Sequence, residues 1–351
     1  MFIGPTTIYS EKDSTFSFVR QIFRFIAQII TVGTGCALGF AGPAAEAGMT
    51  TGRIIGSQLQ SSTAKRQLCL AGGAAAFAAN FNTPLAGFAY AMEVSNRQMG
   101  YQKSAEPIPV NDGTATVLKK LTSNTSLVFL ATVASLLVCR NGNILNPRHA
   151  LSTFKYMIDG RADIVAQLPV LIGLGFLSGT FASVFRMLFQ ISAVAMSRVP
   201  LTFRPLFGGL ICSLAAYKGS PQSLFTGYAT LNSIIASNVF SYKQIMHHLL
   251  SKIGLLSFTQ ASGLVGGLVA PSFFAGSSLG VLTHFGATKL GATGLFSPSL
   301  YAVAGAAGLL SAFIRAPITA SFLAIELTRE YDLILPVMIV TAVANFCSKK
   351  A

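Results

Sequence analysis

The stretch GFAGPAAEAG, residues Gly39 to Gly48, adjoins an apolar run and carries no charge before Glu46. Gly39, Gly42 and Pro43 stand within its first five residues. In water such a cluster predicts a turn. Inside a membrane, a break in the backbone leaves polar groups without partners and therefore needs a specific reason. The structure of this stretch therefore depends on whether it lies in a membrane.

Composition predicts a polytopic membrane protein. Of the 351 residues, 52% are hydrophobic and 10% are charged, and the mean hydropathy is +0.60, above the usual range of soluble domains. No cleaved signal peptide is recognisable at the N-terminus. Several apolar runs reach the roughly 20 residues that a spanning helix needs. These runs are residues 25–40, 68–92, 127–139, 164–185, 253–281 and 301–327.

The formal net charge of +14 would suggest a nucleic-acid partner in a soluble chain. In a membrane protein it is expected from Lys and Arg in cytoplasmic loops, so no nucleic-acid partner is predicted. The longest polar segment, residues 103–124, is predicted to be a cytoplasmic loop. The five cysteines share no ligand spacing, and the adjacent His247 and His248 point in different directions on a helix. No metal site, cofactor or enzymatic constellation is expected.

An internal repeat is the strongest pattern in the sequence. AGGAAAFAANFNTPLAGFAYAMEVS from Ala71 is similar to AGAAGLLSAFIRAPITASFLAIELT from Ala304, and Pro84 and Pro317 are 233 positions apart. A second pair is GFAGPAAEAGMTTG with GLVAPSFFAGSSLG. Two motifs in the same order indicate a duplication. The positions of the second pair that align at an offset of 228 are Gly39, Pro43, Gly48 and Gly52 with Gly267, Pro271, Gly276 and Gly280.

A duplicated membrane protein with matching Gly/Pro-broken segments is typical of transporters with a site between the two halves. Each half would supply a helix that begins within the bilayer, with free N–H groups and a positive dipole end. Such helix N-termini can hold an anion without a buried Arg or Lys, which would be costly. The alternative is that these glycines only allow helices to pack closely.

Four blocks resemble the CLC family of chloride channels and proton-coupled chloride transporters. They are GFAGPAAEAGMTTGRIIG, GGAAAFAANFNTPLAGFAYAMEV, GLVGGLVAPSFFAGSSLG and GLLSAFIRAPITASFLAIELTREYDLILPVMIV, in the family's order, and FTGYATL between them resembles a further family segment. The resemblance covers residues 19–348. It implies an all-α polytopic membrane fold of two inverted-topology repeats with broken helices. The predicted organisation is an N-terminal segment 1–18, a first repeat at about 19–125, a second at about 165–348, and no C-terminal regulatory domain.

The resemblance also implies an anion site. The family binds its anion through backbone amides of two filter segments and through a tyrosine hydroxyl, which is placed here on the tyrosine of the Y-x-L-I-L-P motif. The implied anion-binding residues are Phe40, Ala41 and Gly42 in the first filter segment, Leu268, Val269 and Ala270 in the second, and Tyr331.

Two positions depart from the family's proton pathway. The gating glutamate of the family falls on Ala41, and the inner proton-transfer glutamate falls on Val94. Neither side chain can bind a proton, so a passive pathway is expected. In addition, only Gly4-Pro5 corresponds to the family's S-G-I-P segment, whose serine contributes to the central ion site.

The predicted function is passive conduction of chloride or a similar small anion by a multi-pass homodimer in the cell (inner) membrane. One alternative is a proton-coupled exchanger that uses another carboxylate, such as Glu46. Glu46 is more simply interpreted as a structural hydrogen-bonding residue near a helix N-terminus. A second alternative is a non-conducting assembly subunit that lacks part of the filter.

Overall fold

The computed structural model describes residues 18–59, 61–102, 114–141, 164–218, 221–236 and 240–350. The regular structure of these residues is all-α, apart from two short 3₁₀ helices, Pro221–Ser223 and Tyr331–Leu333. The α-helices are α1 (Phe18–Gly33), α2 (Ala41–Gln58), α3 (Ser62–Phe81), α4 (Pro84–Gln102), α5 (Thr114–Asn141), α6 (Ile164–Ser197), α7 (Arg204–Tyr217), α8 (Tyr228–Ile235), α9 (Tyr242–Ala261), α10 (Val269–Lys289), α11 (Pro298–Ile314), α12 (Pro317–Thr328) and α13 (Ile334–Lys350).

Two segments of the described chain are long and apolar enough to cross a membrane by length and composition alone. They are α6, Ile164–Ser197, and the segment Tyr331–Ser348. Three shorter segments, Thr125–Cys139, α11 and α12, are also apolar. Short apolar helices that begin and end at backbone breaks are expected of membrane proteins whose spanning helices are discontinuous.

The prediction of a polar loop over residues 103–124 is wrong for residues 114–124. Helix α5 begins at Thr114, so residues 114–124 are helical, whereas residues 103–113 lie outside the described part. The chain contains neither Gly nor Pro between Thr114 and Asn141. Because those two residues are the strongest helix breakers, the apolar helix over 125–139 extends back through this polar stretch.

The chain divides into two compact units. The first unit comprises residues 1–25 and 42–149, and the second comprises 26–41 and 150–351. In the first unit, α3 packs against α4 and α5. In the second unit, α10 packs along α11, and α6 packs against α11 and α13. The predicted boundaries of the repeats stay a prediction.

Each unit contains the same close helix crossing. In the first unit a Cβ atom on Gly48 would overlap the carbonyl oxygen of Gly72. A Cβ atom on Gly72 would likewise overlap the carbonyl oxygen of Gly48. In the second unit Gly276 and Gly305 are in the same relationship. Only glycine allows two helix backbones to come this close. Gly48 and Gly276 are 228 positions apart, and Gly72 and Gly305 are 233 positions apart, which are the offsets of the two repeated motifs.

The helix breaks repeat as well. Gly35 after α1 and Gly263 after α9 have positive φ, at +96° and +81°. Asn82 and Arg315, which end α3 and α11, are both left-handed, at φ 57° and 53°. The helices after these two residues, α4 and α12, both begin at a proline. The duplication therefore extends to backbone conformation.

Candidate functional site

The two predicted filter segments meet in the second unit at one isolated antiparallel bridge between Gly39 and Gly267. The N–H of Gly39 donates to the carbonyl oxygen of Gly267 at 2.8 Å, and the N–H of Gly267 donates to that of Gly39 at 2.5 Å. A Cβ on Gly39 would lie 3.3 Å from Ala270 Cβ, Gly267 O and Pro271 Cδ. Little room therefore remains for a side chain where the segments pair.

The second predicted filter segment presents backbone donors that have no acceptor in the described part of the chain. Helix α10 begins at Val269, two residues after the bridge, and its first hydrogen bond runs from Ser272 N to Leu268 O at 2.9 Å. The N–H groups of Leu268, Val269 and Ala270 donate to no acceptor within the described residues. These are the orphan donors of a helix N-terminus, at the positive end of its dipole.

The first filter segment has the same arrangement. Helix α2 begins at Ala41, also two residues after the bridge, and Gly42 follows in its first turn. The N–H groups of Phe40 and Ala41 find no acceptor among the described residues. Ala41 is 2% exposed, and buried N–H groups require an acceptor. Residues 36–45 and 264–274 contain no charged side chain, so an anion or a water molecule is the acceptor that this chemistry suits.

The alternative explanation of the glycines, close helix packing, is correct for part of the motif. Gly48 and Gly276 lie at the helix crossings described above, and Gly52 and Gly280 lie against the backbone of Leu68 and Tyr301. Gly39 and Gly267 instead form the bridge. Close packing therefore explains four glycines of the repeated motif, and the anion-site interpretation of the segments around Gly39 and Gly267 stays a prediction.

Val94 and Tyr331 are the two predicted positions outside the filter segments. Val94 lies within α4, and its side chain falls outside the described part of the structure. Tyr331 begins the short 3₁₀ helix before α13 and is 76% exposed. Within the described residues, its hydroxyl makes no hydrogen bond to either filter segment. The roles of Val94 and Tyr331 stay predictions.

Glu46 is held by an arginine in the first unit. Arg24 Nε and Nη2 donate to the two carboxylate oxygens of Glu46 at 2.9 and 3.3 Å. The side chains are 20% and 9% exposed. A two-point ion pair of this kind fixes the carboxylate in place, which agrees with a structural role rather than with a mobile proton carrier.

Lys252, which was not predicted as a site residue from the sequence, is fully buried in the middle of α9. Its Nζ donates to the carbonyl oxygens of Ser223 and Phe225 at 2.9 and 2.7 Å. The ring of Phe274, on α10, lies 5.3 Å from Nζ. The available signal was a lysine directly before the apolar run 253–281, which resembles the charged end of a membrane span.

The loop held by Lys252 contacts the first filter segment. Phe225 N donates to Gly35 O at 3.1 Å, and the Phe225 ring lies against Gly35. Tyr228 contacts Phe40 edge to face, with ring centroids 6.2 Å apart. These contacts place the FTGYATL segment beside the first predicted filter segment.

The chain is similar to known proteins over nearly its whole length. Residues 6–349 match the sequence model of the voltage gated chloride channel family. The chloride channel protein CLC-f of Arabidopsis thaliana is 26% identical over 340 residues, covering 91% of this chain and 40% of that protein. The H(+)/Cl(-) exchange transporter ClcA of Klebsiella pneumoniae subsp. pneumoniae is 28% identical over 337 residues, covering 93% of this chain and 66% of that protein. The chain thus spans less than two thirds of these relatives.

Solved structures share the fold. A slow cyanobacterial Cl⁻/H⁺ antiporter superposes with a TM-score of 0.74 at 23% identity, over 99% of this chain and 77% of the antiporter. A CLC-type fluoride/proton antiporter gives a TM-score of 0.73 at 22% identity, over 99% of this chain and 79% of that protein. The repeated helix breaks, the paired filter segments and the family match lead to one conclusion: this chain is an integral membrane protein that belongs to the CLC family of chloride channels and transporters.

Proposed function

We propose that this protein provides a passive pathway for chloride or a similar small anion, without coupled proton movement. The observation that carries the proposal is the set of N–H groups beside the Gly39–Gly267 bridge that have no acceptor within the described residues, at Phe40, Ala41, Leu268, Val269 and Ala270. These donors suit an anion, because each helix N-terminus bears about half a positive charge. Members of this family are channels and transporters and not enzymes.

The absence of a titratable group in the filter segments supports uncoupled movement. Ala41 stands where the resemblance expects the gating glutamate, and Val94 stands where it expects the inner one. Proton exchange needs a group that binds and releases a proton along the path. The next carboxylate along α2, that of Glu46, is engaged by Arg24.

Proton exchange is the second candidate, because the ClcA relative and both solved structures are described as proton exchangers or antiporters. A non-conducting assembly subunit is the third. We further propose that the protein acts as a homodimer in the cell (inner) membrane, which light scattering of the purified protein would test through its mass.

Chloride flux from liposomes distinguishes these functions. Purified protein is reconstituted in potassium-chloride-loaded liposomes, and external chloride and pH are recorded together after valinomycin is added. Passive conduction predicts chloride release without proton movement. Proton uptake in fixed proportion to chloride would establish exchange instead. Chloride release no faster than from protein-free liposomes would favour the assembly subunit.

A further inference from the structure

An ammonium group is buried close to the filter. Lys252 Nζ faces the carbonyl oxygens of Ser223 and Phe225 and the ring of Phe274. A protonated amine has three N–H donors and no acceptor. Two carbonyl oxygens and a ring face are groups that attract a cation, and they offset part of the cost of burying the charged form of Lys252.

This charge lacks a counter-ion among the residues that the structure describes. No carboxylate within the described residues lies at ion-pair distance from Lys252, although buried charges are usually paired because an isolated one is costly. The hydroxyl of the fully buried Ser223 also has no hydrogen-bond partner there. A buried ammonium and a nearby unsatisfied hydroxyl are both groups that an anion would stabilise.

Lys252 is linked to both filter segments. Phe274 lies five residues after Val269 on α10, about 7.5 Å at the 1.5 Å rise of an α-helix. A Cβ on Gly227 would lie 3.5 Å from Lys252 Nζ, and the next residue, Tyr228, contacts Phe40. The ammonium therefore lies within one layer of side chains from each filter segment.

We propose that Lys252 is a fixed positive charge that raises the occupancy of a small monovalent anion at the filter, and that this anion is its counter-ion. The inference rests on the proposed function, because it concerns the anion whose passage is proposed. The helix N-termini contribute only partial charges. A whole charge in a poorly solvated region acts over a longer distance.

Quenching of a single tryptophan measures this effect without transport. The chain has no Trp, and Phe40 is 42% exposed, so Phe40→Trp places one reporter at the filter. In detergent, with each quenching constant taken relative to that of free N-acetyltryptophanamide, iodide should quench this reporter more strongly than caesium does. Adding Lys252→Met should lower the iodide quenching constant roughly three- to tenfold, raise that of caesium, and leave quenching by neutral acrylamide unchanged.

Two further variants separate charge from folding. Lys252→Arg keeps the charge and should keep the difference between iodide and caesium. Lys243→Met removes an exposed lysine from the first turn of the same helix and should have little effect, because solvent screens that charge. Where Lys252→Met does not fold, Lys252→Gln carries the same prediction, since its amide retains two donors for the carbonyl oxygens.

Equal quenching by iodide and caesium in the Phe40→Trp protein would overturn the proposal. So would an iodide constant that is unaffected by neutralising Lys252, or one that falls equally in Lys243→Met. The chloride flux measured in liposomes tests the proposed function separately from the quenching experiment. Quenching that depends on Lys252 in a protein without chloride flux would leave this proposal standing and remove passive conduction. Chloride flux in a protein whose quenching does not depend on Lys252 would leave passive conduction standing and overturn the proposal for Lys252.

Discussion

Gly39 and Gly267 donate to one another's carbonyl oxygens, and they are equivalent residues of the internal repeat, 228 positions apart. In an antiparallel pair that exchanges both hydrogen bonds, each residue donates one bond to its partner and accepts one from it. The filter segments therefore meet as a self-complementary contact, which the inverted repeats of a transporter would produce. The bridge places Ala41 and Val269 at matching positions, each at the first residue of a helix.

The close crossing of α10 and α11 predicts a strong, local sensitivity to one methyl group. Gly276→Ala would push a Cβ into the carbonyl oxygen of Gly305, so we expect a loss of roughly 1–3 kcal/mol of unfolding free energy from overpacking. Gly286→Ala on the same helix is the control, because a Cβ there meets nothing within 4 Å. It should be neutral or stabilise by up to about 1 kcal/mol. Denaturant or thermal unfolding in detergent gives the ranking, and equal stability of the two variants would contradict the crossing.

The ion pair of Arg24 and Glu46 predicts a structural effect of Glu46→Gln. Removing the carboxylate leaves the partly buried Arg24 without its two-point partner, so the unfolding free energy should fall by about 1–3 kcal/mol, between the values for exposed and buried pairs. A double-mutant cycle with Arg24→Gln should show that the losses are not additive. The ratio of protons to chloride moved by the liposomes should stay at zero in Glu46→Gln. Proton coupling in the parent that disappears in this variant would identify Glu46 as the carrier.

The sequence predicted features that depend on neighbouring residues in the chain, and it missed those that depend on distant ones. The helix starts within GFAGP and GLVAP, and the breaks before Pro84 and Pro317, follow from local Gly and Pro chemistry. Lys252 was not predicted, because its carbonyl partners are 27 and 29 residues away and only folding brings them together. Arg24 likewise reaches Glu46 across 22 residues. Residues 114–124 were predicted to be a loop from their polarity, whereas they contain neither Gly nor Pro and form a helix.

The gate position gives the most direct test of the predicted filter. Ala41→Glu would put a carboxylate beside N–H groups that have no acceptor within the described residues. An ionised carboxylate accepts the same donors and gains from the same dipole as a bound anion, so it should compete with chloride. Protonation removes this competition, and therefore chloride flux in Ala41→Glu should be low near neutral pH and should rise on acidification.

Ala41→Gln is the matched control for Ala41→Glu, because it has nearly the same size and does not ionise. Since Ala41 is 2% exposed, any effect of bulk alone should appear equally in both variants and at every pH. Flux is compared in parent, Ala41→Glu and Ala41→Gln from about pH 4 to about pH 7.5, a range that begins near the usual glutamate pKa of about 4.3. Only Ala41→Glu should depend strongly on pH, and it should move no protons, because Val94 leaves the inner position without a titratable group. If Ala41→Glu conducts like the parent throughout, Ala41 does not lie in the anion pathway and the assignment of GFAGP as a filter segment is wrong.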